Sequence, residues 1–363
     1  MTILLCRPRG GFNDCLVQVE LARRYAQSHG RRLVLDTRRS GLHAQLTEYF
    51  RPGPELRPAP EDLTPDLLAA LDAEDSLRPS EVAHRLSSYV PEYRDGHHRD
   101  AMTGAVLSFD MGKDHPEKVL LRETSGGGYE SLLLLSHLQL HPQIASEIGG
   151  RILELGPEHD AVHVRHSDYR SDYKAFLTRL APALKRRPVL LCTDSREVQE
   201  VAPGLLPGID RLLMLAEVPE TDGKPLHVLA EGDVSARNIE MLTDLFALAF
   251  ARRLWFGSVQ IGDDPGQVSG FSLLAEALRR HPKVLSGLFA GAAPEVRAGL
   301  EARVAGRGRA RLSPSLRMAA LRIRLTRRRW DPVLDAKIYQ LGRTCWRFGK
   351  AGLIETSPVP PLF

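Results

Sequence analysis

Thr2-Ile3-Leu4-Leu5-Cys6, the loop Arg7-Pro8-Arg9-Gly10-Gly11-Phe12-Asn13, and Arg32-Leu33-Val34-Leu35-Asp36 frame the segment whose reading decides the fold. Two apolar runs of strand length are separated by a stretch of helical periodicity. Within it Cys15, Val19, Ala22 and Ala26 recur at helical spacing, Asn13 or Asp14 can cap the N-terminus, and Gly30 marks the stop. Strand, helix and strand in that order open an α/β domain built on a parallel sheet.

A second series of the same kind begins at Ala161-Val162-His163-Val164, continues through a helix over 173–186 and returns as Val189-Leu190-Leu191-Cys192. Further strands are expected at Leu212-Leu213-Met214-Leu215 and Leu254-Trp255-Phe256, and helices over 238–253 and 271–280. Between the two series, Pro52, Pro54, Pro58, Pro60 and Pro65 break regular elements. The stretch 51–115 therefore reads as an irregular surface insertion with short helices. Gly126-Gly127-Gly128 then precedes an apolar helix from about Glu130, and another helical stretch runs to Leu155. The expected plan is an N-terminal Rossmann-like domain over 1–155, a second over 156–300, and a C-terminal extension over 301–363.

The chain has 363 residues, 43% hydrophobic and 26% charged, which is room for two ordinary domains of about 150 residues. Four cysteines, Cys6, Cys15, Cys192 and Cys345, lack any CxxC or Cys/His ligand spacing, and Met1 leads straight into a strand. Reduced thiols and a cytoplasmic location are expected, with no membrane-spanning segment. The net charge of +4 is uneven: residues 303–363 carry 14 Lys/Arg against 3 Asp/Glu, leaving residues 1–302 at −7. In that tail Leu316, Ala319, Ala320 and Ile323 share a helical stripe ringed by Arg317, Arg322, Arg324, Arg327, Arg328 and Arg329, with Trp330 and Trp346 nearby. The segment 303–350 suits an anionic membrane face, as a peripheral attachment, or a strap across the domains. It lacks stacking aromatics or a recognisable module for nucleic acid, and no nucleic-acid partner is expected.

Ligands of open parallel sheets bind beyond the carboxyl ends of the strands, where helix N-termini favour anions. Four polar loops hold that position: Arg9 to Asp14, His163 to Asp172, Thr193-Asp194-Ser195, and Gln267-Val268-Ser269-Gly270-Phe271. Gly10 and Gly11 let a backbone approach closely, with Asn13 and Asp14 beside them as polar groups. In the second loop strand alternation puts His163 and Arg165 on one face, where a planar guanidinium suits a diphosphate. Ser269 and Gly270 open a helix as an anion nest or a plain cap. His97, His98, His84 and His115 lack the regularity of a metal site. The absence of an Asp-x-Asp leaves phosphate neutralisation to cationic side chains, Arg165 above all, and no metal is expected.

Taken in order, these loops resemble the fucosyltransferase superfamily, which includes nodulation-type and eukaryotic core α-1,6-fucosyltransferases and protein O-fucosyltransferases. Arg9 to Leu16 with Arg24-Tyr25-Ala26 and Leu33 to Asp36 is similar to the N-terminal unit of the nodulation-type enzymes, and His163 to Asp168 is similar to the HxRxxD motif. Thr193-Asp194, Asp244 in Leu242-Thr243-Asp244-Leu245, and Ser269-Gly270-Phe271-Ser272 with Ala275 match later motifs. The resemblance implies a GT-B-like α/β fold, two Rossmann-like domains facing across a cleft with the N-terminal one on the acceptor side. It also implies a GDP-sugar donor such as GDP-fucose and inverting, metal-independent transfer to an acceptor that in this superfamily ranges from oligosaccharides to proteins; the basic tail, docked on a membrane face, would present a lipid-linked or envelope glycan. Carried over by position, Arg165 would hold the β-phosphate, His163 would line the same pocket, Asp244 would recognise guanine and Ser269 would bind the diphosphate, with Gly10, Gly11, Asn13, Asp194, Gly270 and Phe271 also in the donor site. The glutamate of the core enzymes falls on Tyr173 here, so the base is open among Asp172, Asp168 and Asp14. A non-catalytic nucleotide- or glycan-binding protein with the same fold is the alternative.

Overall fold

The computed structural model describes residues 2–305 except 170, 185–186, 220–224, 230–231 and 262–263, together with 346–348 and 353–356. The chain divides into two compact units, Met1–Leu138 and Gln139–Phe363.

In the first unit β1 (Ile3–Pro8) is buried along its whole length and pairs in parallel with β2 (Arg32–Leu35). Helix α1 (Phe12–Ser28) crosses between them as the spacing of Cys15, Val19, Ala22 and Ala26 requires, all four being fully buried. Two-residue strands β3 (Glu61–Asp62) and β4 (Leu77–Arg78), with α2 (Pro65–Asp72) between them, come from the segment expected to be an insertion. A hairpin, β5 (Pro91–Arg94) and β6 (His97–Asp100), follows, and β7 (Val119–Thr124) returns to the sheet beside β1. The sheet order is β3-β2-β1-β7-β4, parallel throughout.

The reading of 51–115 as surface insertion is thereby corrected. Its prolines do shorten every element, yet Leu63, Leu71, Leu77, Val82, Leu86 and Leu107 bury against Ile3, Leu5, Val34 and Leu121 and close one face of the sheet. Covering apolar strand faces is favourable at about 25 cal/mol per Å² whatever the regularity of the covering chain. The other face carries α1, with α3 (Glu130–Leu135) packed on it.

The second unit starts with α4 (Pro142–Glu154), so the break falls at Leu138 rather than at residue 155. The reason is packing: α4 lies against α7 (Val234–Phe250) and α10 (Pro294–Ala305), and the missing Cβ of Gly149 admits Val296 and Leu300. The sheet is built from β8 (Asp160–Val164), β9 (Val189–Thr193), β10 (Leu212–Leu213) and β11 (Arg253–Gly257), all parallel. Helices α5 (Tyr173–Leu180) and α6 (Arg196–Leu205) cover one face, where Tyr173, Phe176, Leu177, Val198 and Ala202 meet Val162, Val164, Leu191 and Trp255. Helices α8 (Gly270–Arg280) and α9 (Pro282–Leu288) follow, α8 packing on α7.

Two late strands, β12 (Trp346–Phe348) and β13 (Leu353–Thr356), extend this sheet antiparallel, in the order β10-β9-β8-β11-β13-β12. The rest of the basic tail after Ala305 lies outside the described residues, including the helical stripe from Leu316 to Ile323. Among the described residues no helix is long and apolar enough to cross a membrane.

Candidate active site

Strands β8, β9 and β11 of the second unit end side by side, and their polar successors form a connected cluster. His163 is the second-last residue of β8 and is buried. Its Nδ1 lies 2.6 Å from Ser272 Oγ and its ring centroid 5.3 Å from that of Phe271, both in the first turn of α8. Burial pushes His163 down to about 4, with the Arg165 charge lowering it further and Asp194 opposing. The imidazole is therefore neutral through the physiological range, a hydrogen-bonding wall of the site and not a cation.

Arg165 follows the strand and is held from two sides. Nε and Nη2 donate to Asp168 Oδ1 at 2.9 and 2.6 Å, and Nη1 stands 2.9 Å from Asp194 Oδ2. The guanidinium lies 5.5 Å from the centre of the Tyr169 ring. Asp194, buried at the end of β9, also accepts from the His166 backbone N–H at 2.7 Å and from the Ser167 hydroxyl. One carboxylate thus fixes both the loop and the arginine, the arrangement that pre-orients a guanidinium for a planar anion.

A small pocket of about 60 Å³ adjoins this cluster, lined by Val164, Arg165, Ser171, Asp172, Tyr173, Phe176, Gly257 and Ser258. Asp172 is exposed, and one of its carboxylate oxygens caps α5 by accepting from Ala175 N at 3.1 Å. Tyr173, whose hydroxyl donates to Glu197 Oε1 at 2.5 Å, stacks edge-on with His166 at 4.6 Å. Burial pushes Tyr173 up to about 12. Ser171 and Ser272 lie inside stretches marked out by the sequence without a role of their own, whereas Gly257 and Ser258 were missed, although they too follow the carboxyl end of a parallel strand, β11.

Ser269 occupies the N-cap of α8 without spending its side chain on the cap, and it is buried. Gly270 begins the helix, so the free N–H groups of this turn lie next to the residues that touch His163. Asp244, in the middle of α7, sits one strand further along, where Cys192 of β9 approaches its backbone oxygen at 4.0 Å. Its Oδ1 is buried with no hydrogen-bond partner among the described residues. Burial pushes Asp244 up to about 7; the Cys192 thiol lowers it, Glu240 raises it and Arg151 lowers it.

The first-unit candidates form their own group. Gly10 has φ +86°, and a Cβ there would lie 2.7 Å from Asp14 Oδ2. Gly11 is the N-cap of α1 with extended backbone. Asn13 is buried and braces the glycine loop: Nδ2 donates to Gly128 O at 3.4 Å, and Ser131 Oγ donates to Oδ1 at 2.7 Å. Asp14 lies against Gly127 as well, its Oδ1 3.0 Å from where a Cβ would be. Two contact groups result, His163 with Ser272 and Phe271 and Arg165 with Asp168 and Asp194, within electrostatic reach of each other and with Asp172 beside Arg165 at the pocket; in the first unit Asn13 and Asp14 meet the loop Gly126–Gly128, and Gly10 meets Asp14.

The histidines do not gather. His84 Nδ1 meets Asp72 O at 2.9 Å, His115 Nε2 meets Asp110 O at 2.7 Å, and among the described residues no group of three His, Cys, Asp or Glu is placed to hold a metal ion.

No protein-family profile matches the chain, and no curated protein matches it. Solved structures do. Fucosyltransferase NodZ from Bradyrhizobium is 22% identical over 77% of this chain and 94% of that one, with a TM-score of 0.51. NodZ α-1,6-fucosyltransferase co-crystallised with GDP is 19% identical over 77% and 93%, TM-score 0.51, and the same enzyme soaked with GDP-fucose is 20% identical over 77% and 94%, TM-score 0.50. At this identity the likeness is one of fold: the chain shares the α/β architecture of these fucosyltransferases.

Proposed function

We propose that the protein is a glycosyltransferase that moves a sugar, fucose being the first candidate, from a GDP-sugar to the hydroxyl of a glycan acceptor, with inversion and without a metal. The observation that carries this reading is the convergence of His163, Arg165 and the first turn of α8 at the carboxyl end of a parallel sheet. It is supported by the shared fold with NodZ, which has been crystallised with GDP and soaked with GDP-fucose.

In this mechanism Asp244 receives the guanine edge. Its unpartnered buried oxygen matches the N–H donors of the base, a group of opposite hydrogen-bonding character. The diphosphate takes the Nε/Nη2 edge of Arg165 in exchange for Asp168, while Asp194 keeps hold of Nη1. Ser269 and the free N–H groups of α8 contribute neutral donors. The acceptor oxygen attacks the anomeric carbon from the face opposite the nucleotide. Its proton passes to a carboxylate, the anomeric C–O bond breaks, and GDP leaves with the electron pair, its β-phosphate charge met by Arg165. Asp172 is the preferred base, because it borders the same pocket as Arg165 and keeps one oxygen clear of the Ala175 cap.

Calorimetry with GDP, UDP and CDP, followed by GDP release from a panel of GDP-sugars, tests this. GDP should bind most tightly and GDP-fucose should turn over. Equal affinity for the three nucleotides, or a preference for UDP, would remove the guanine assignment; tight GDP binding with no turnover of any donor would favour a binding protein.

A further inference from the structure

The first unit carries a second polar cluster at the carboxyl end of its own sheet, and the mechanism above does not use it. Arg7 and Arg9 lie at the end of β1, Asp36 follows β2, and Glu123 is the second-last residue of β7. Arg9 Nε donates to Glu123 Oε1 at 2.5 Å, and its Nη1 donates to the backbone oxygen of Arg39 at 3.2 Å. Arg39 Nη1 reaches Glu123 Oε2 at 3.5 Å, and its guanidinium lies 4.8 Å from the centre of the Tyr89 ring. Tyr89 donates its hydroxyl to Glu123, and Arg7 Nη1 donates to that hydroxyl at 2.9 Å. Arg7 and Arg38 share Asp36 at 3.2 and 2.8 Å.

Charge and exposure in this cluster are arranged unequally. The carboxylate of Glu123 is fully buried, whereas Arg9 and Arg39 each leave 24% of the side chain open to solvent. Arg7, Arg9, Arg38 and Arg39 face Asp36 and Glu123, with Asp14 next along at the start of α1, so a positive charge is left over among the described residues. This surplus sits in a segment, 1–302, that is acidic as a whole. Within electrostatic reach of Arg9 stands His98, linked at 3.1 Å to Ser125, and the exposed glycines Gly126 and Gly127 leave backbone uncovered. Buried acid beneath, planar cations above and bare backbone alongside is a rigid surface for an anion attached to a hydroxyl-rich molecule.

We propose that this rim of the first unit, centred on Arg9 and Arg39, binds a saccharide bearing a carboxylate or phosphate group. On the glycosyltransferase reading, on which this rests, that saccharide is the acceptor. The guanidinium edges pair with the anion, Glu123 and Tyr89 hold them in place from below, and His98, Ser125 and the glycine backbone meet hydroxyls.

The test is binding to the full-length protein, with no donor present, of trigalacturonate, maltotriose 1-phosphate and neutral maltotriose, each at low and high salt. Both charged saccharides, or one of them, should bind about tenfold or more tightly than maltotriose, the scale of one charge-assisted hydrogen-bond pair, with the advantage fading in salt. Preference for one charged sugar over the other tells a carboxylate from a phosphate ligand. Arg39→Gln should erase the advantage and Arg39→Lys should keep its salt dependence but only part of its size, while GDP affinity stays unchanged in both. Equal binding of maltotriose, no binding of any of the three, or loss of GDP affinity in Arg39→Gln would overturn the proposal. Retained anionic preference in a protein that binds no GDP would support the rim and count against the donor reading alone.

Discussion

The proposed mechanism asks of Arg165 something a lysine cannot do: hold Asp194 with one nitrogen while the two-nitrogen edge now on Asp168 is offered to a phosphate. Arg165→Lys keeps the charge and loses that division of labour, so kcat/KM should fall by about 30-fold or more, or about 2 kcal/mol of transition-state stabilisation. Steady-state kinetics on the Lys variant checks it, and near-normal turnover would make Arg165 peripheral. Asp244 gives a second handle. Burial lifts it from the 3.8 of an ordinary aspartate to about 7, so the folded chain holds a proton that the unfolded chain has lost between those values. Stability from this group is therefore greatest near pH 4, declines as pH rises toward 7 and stays low above it. Asp244→Asn removes the penalty: its Tm relative to the parent should climb from pH 4 to pH 8, while GDP affinity drops. A flat difference across that range would show that the carboxylate is not destabilised by burial. At this scale the sequence was informative where a strand ends in charge. His163 and Arg165 stood out because so polar a continuation of an apolar strand has few structural uses. The contact of His163 with Ser272 was not legible, because it depends on tertiary folding across 109 residues and not on local pattern.

On the proposed mechanism a helix cap also serves the chemistry, and the two roles can be separated. Asp172 caps α5, as Ser195 caps α6 and Asp233 caps α7. Asparagine caps as well as aspartate but takes up no proton. Asp172→Asn should thus leave thermal unfolding within about 0.5 kcal/mol of the parent and lower kcat by about 100-fold or more, whereas Asp172→Ala should also cost about 1 kcal/mol of stability. Full activity in the Asn variant would pass the role of base to another carboxylate. The helices and strands themselves were readable wherever periodicity was sustained: β1, α1, β8 and β9 lie where apolar spacing put them. The segment 51–115 was not, since Leu63, Leu77 and Leu86 are separated by prolines and polar residues and act together only once the sheet exists to receive them. Likewise α4 carried no mark of which unit it would join; the small side of Gly149, turned toward Val296 and Leu300, decided it.

For the molecule as a whole, the proposed chemistry relies on fixed side-chain charge. Turnover should survive exhaustive chelation, and its loss in EDTA with recovery in magnesium or manganese would require Arg165 to be reassigned. The second sheet has a different whole-chain property. Its strand β11 has β8 on one side and β13 on the other, so Leu254 completes its pairing only with Thr356. A nascent chain that has already threaded the His163 and Ser269 loops still exposes the bare hydrogen-bonding edge of β11, the kind of edge that recruits other chains. Strand β13 is therefore a lock fitted after the loops it follows. Shortening this protein from its C-terminus would leave the His163 and Ser269 loops in place while baring a strand edge on which other chains could pair.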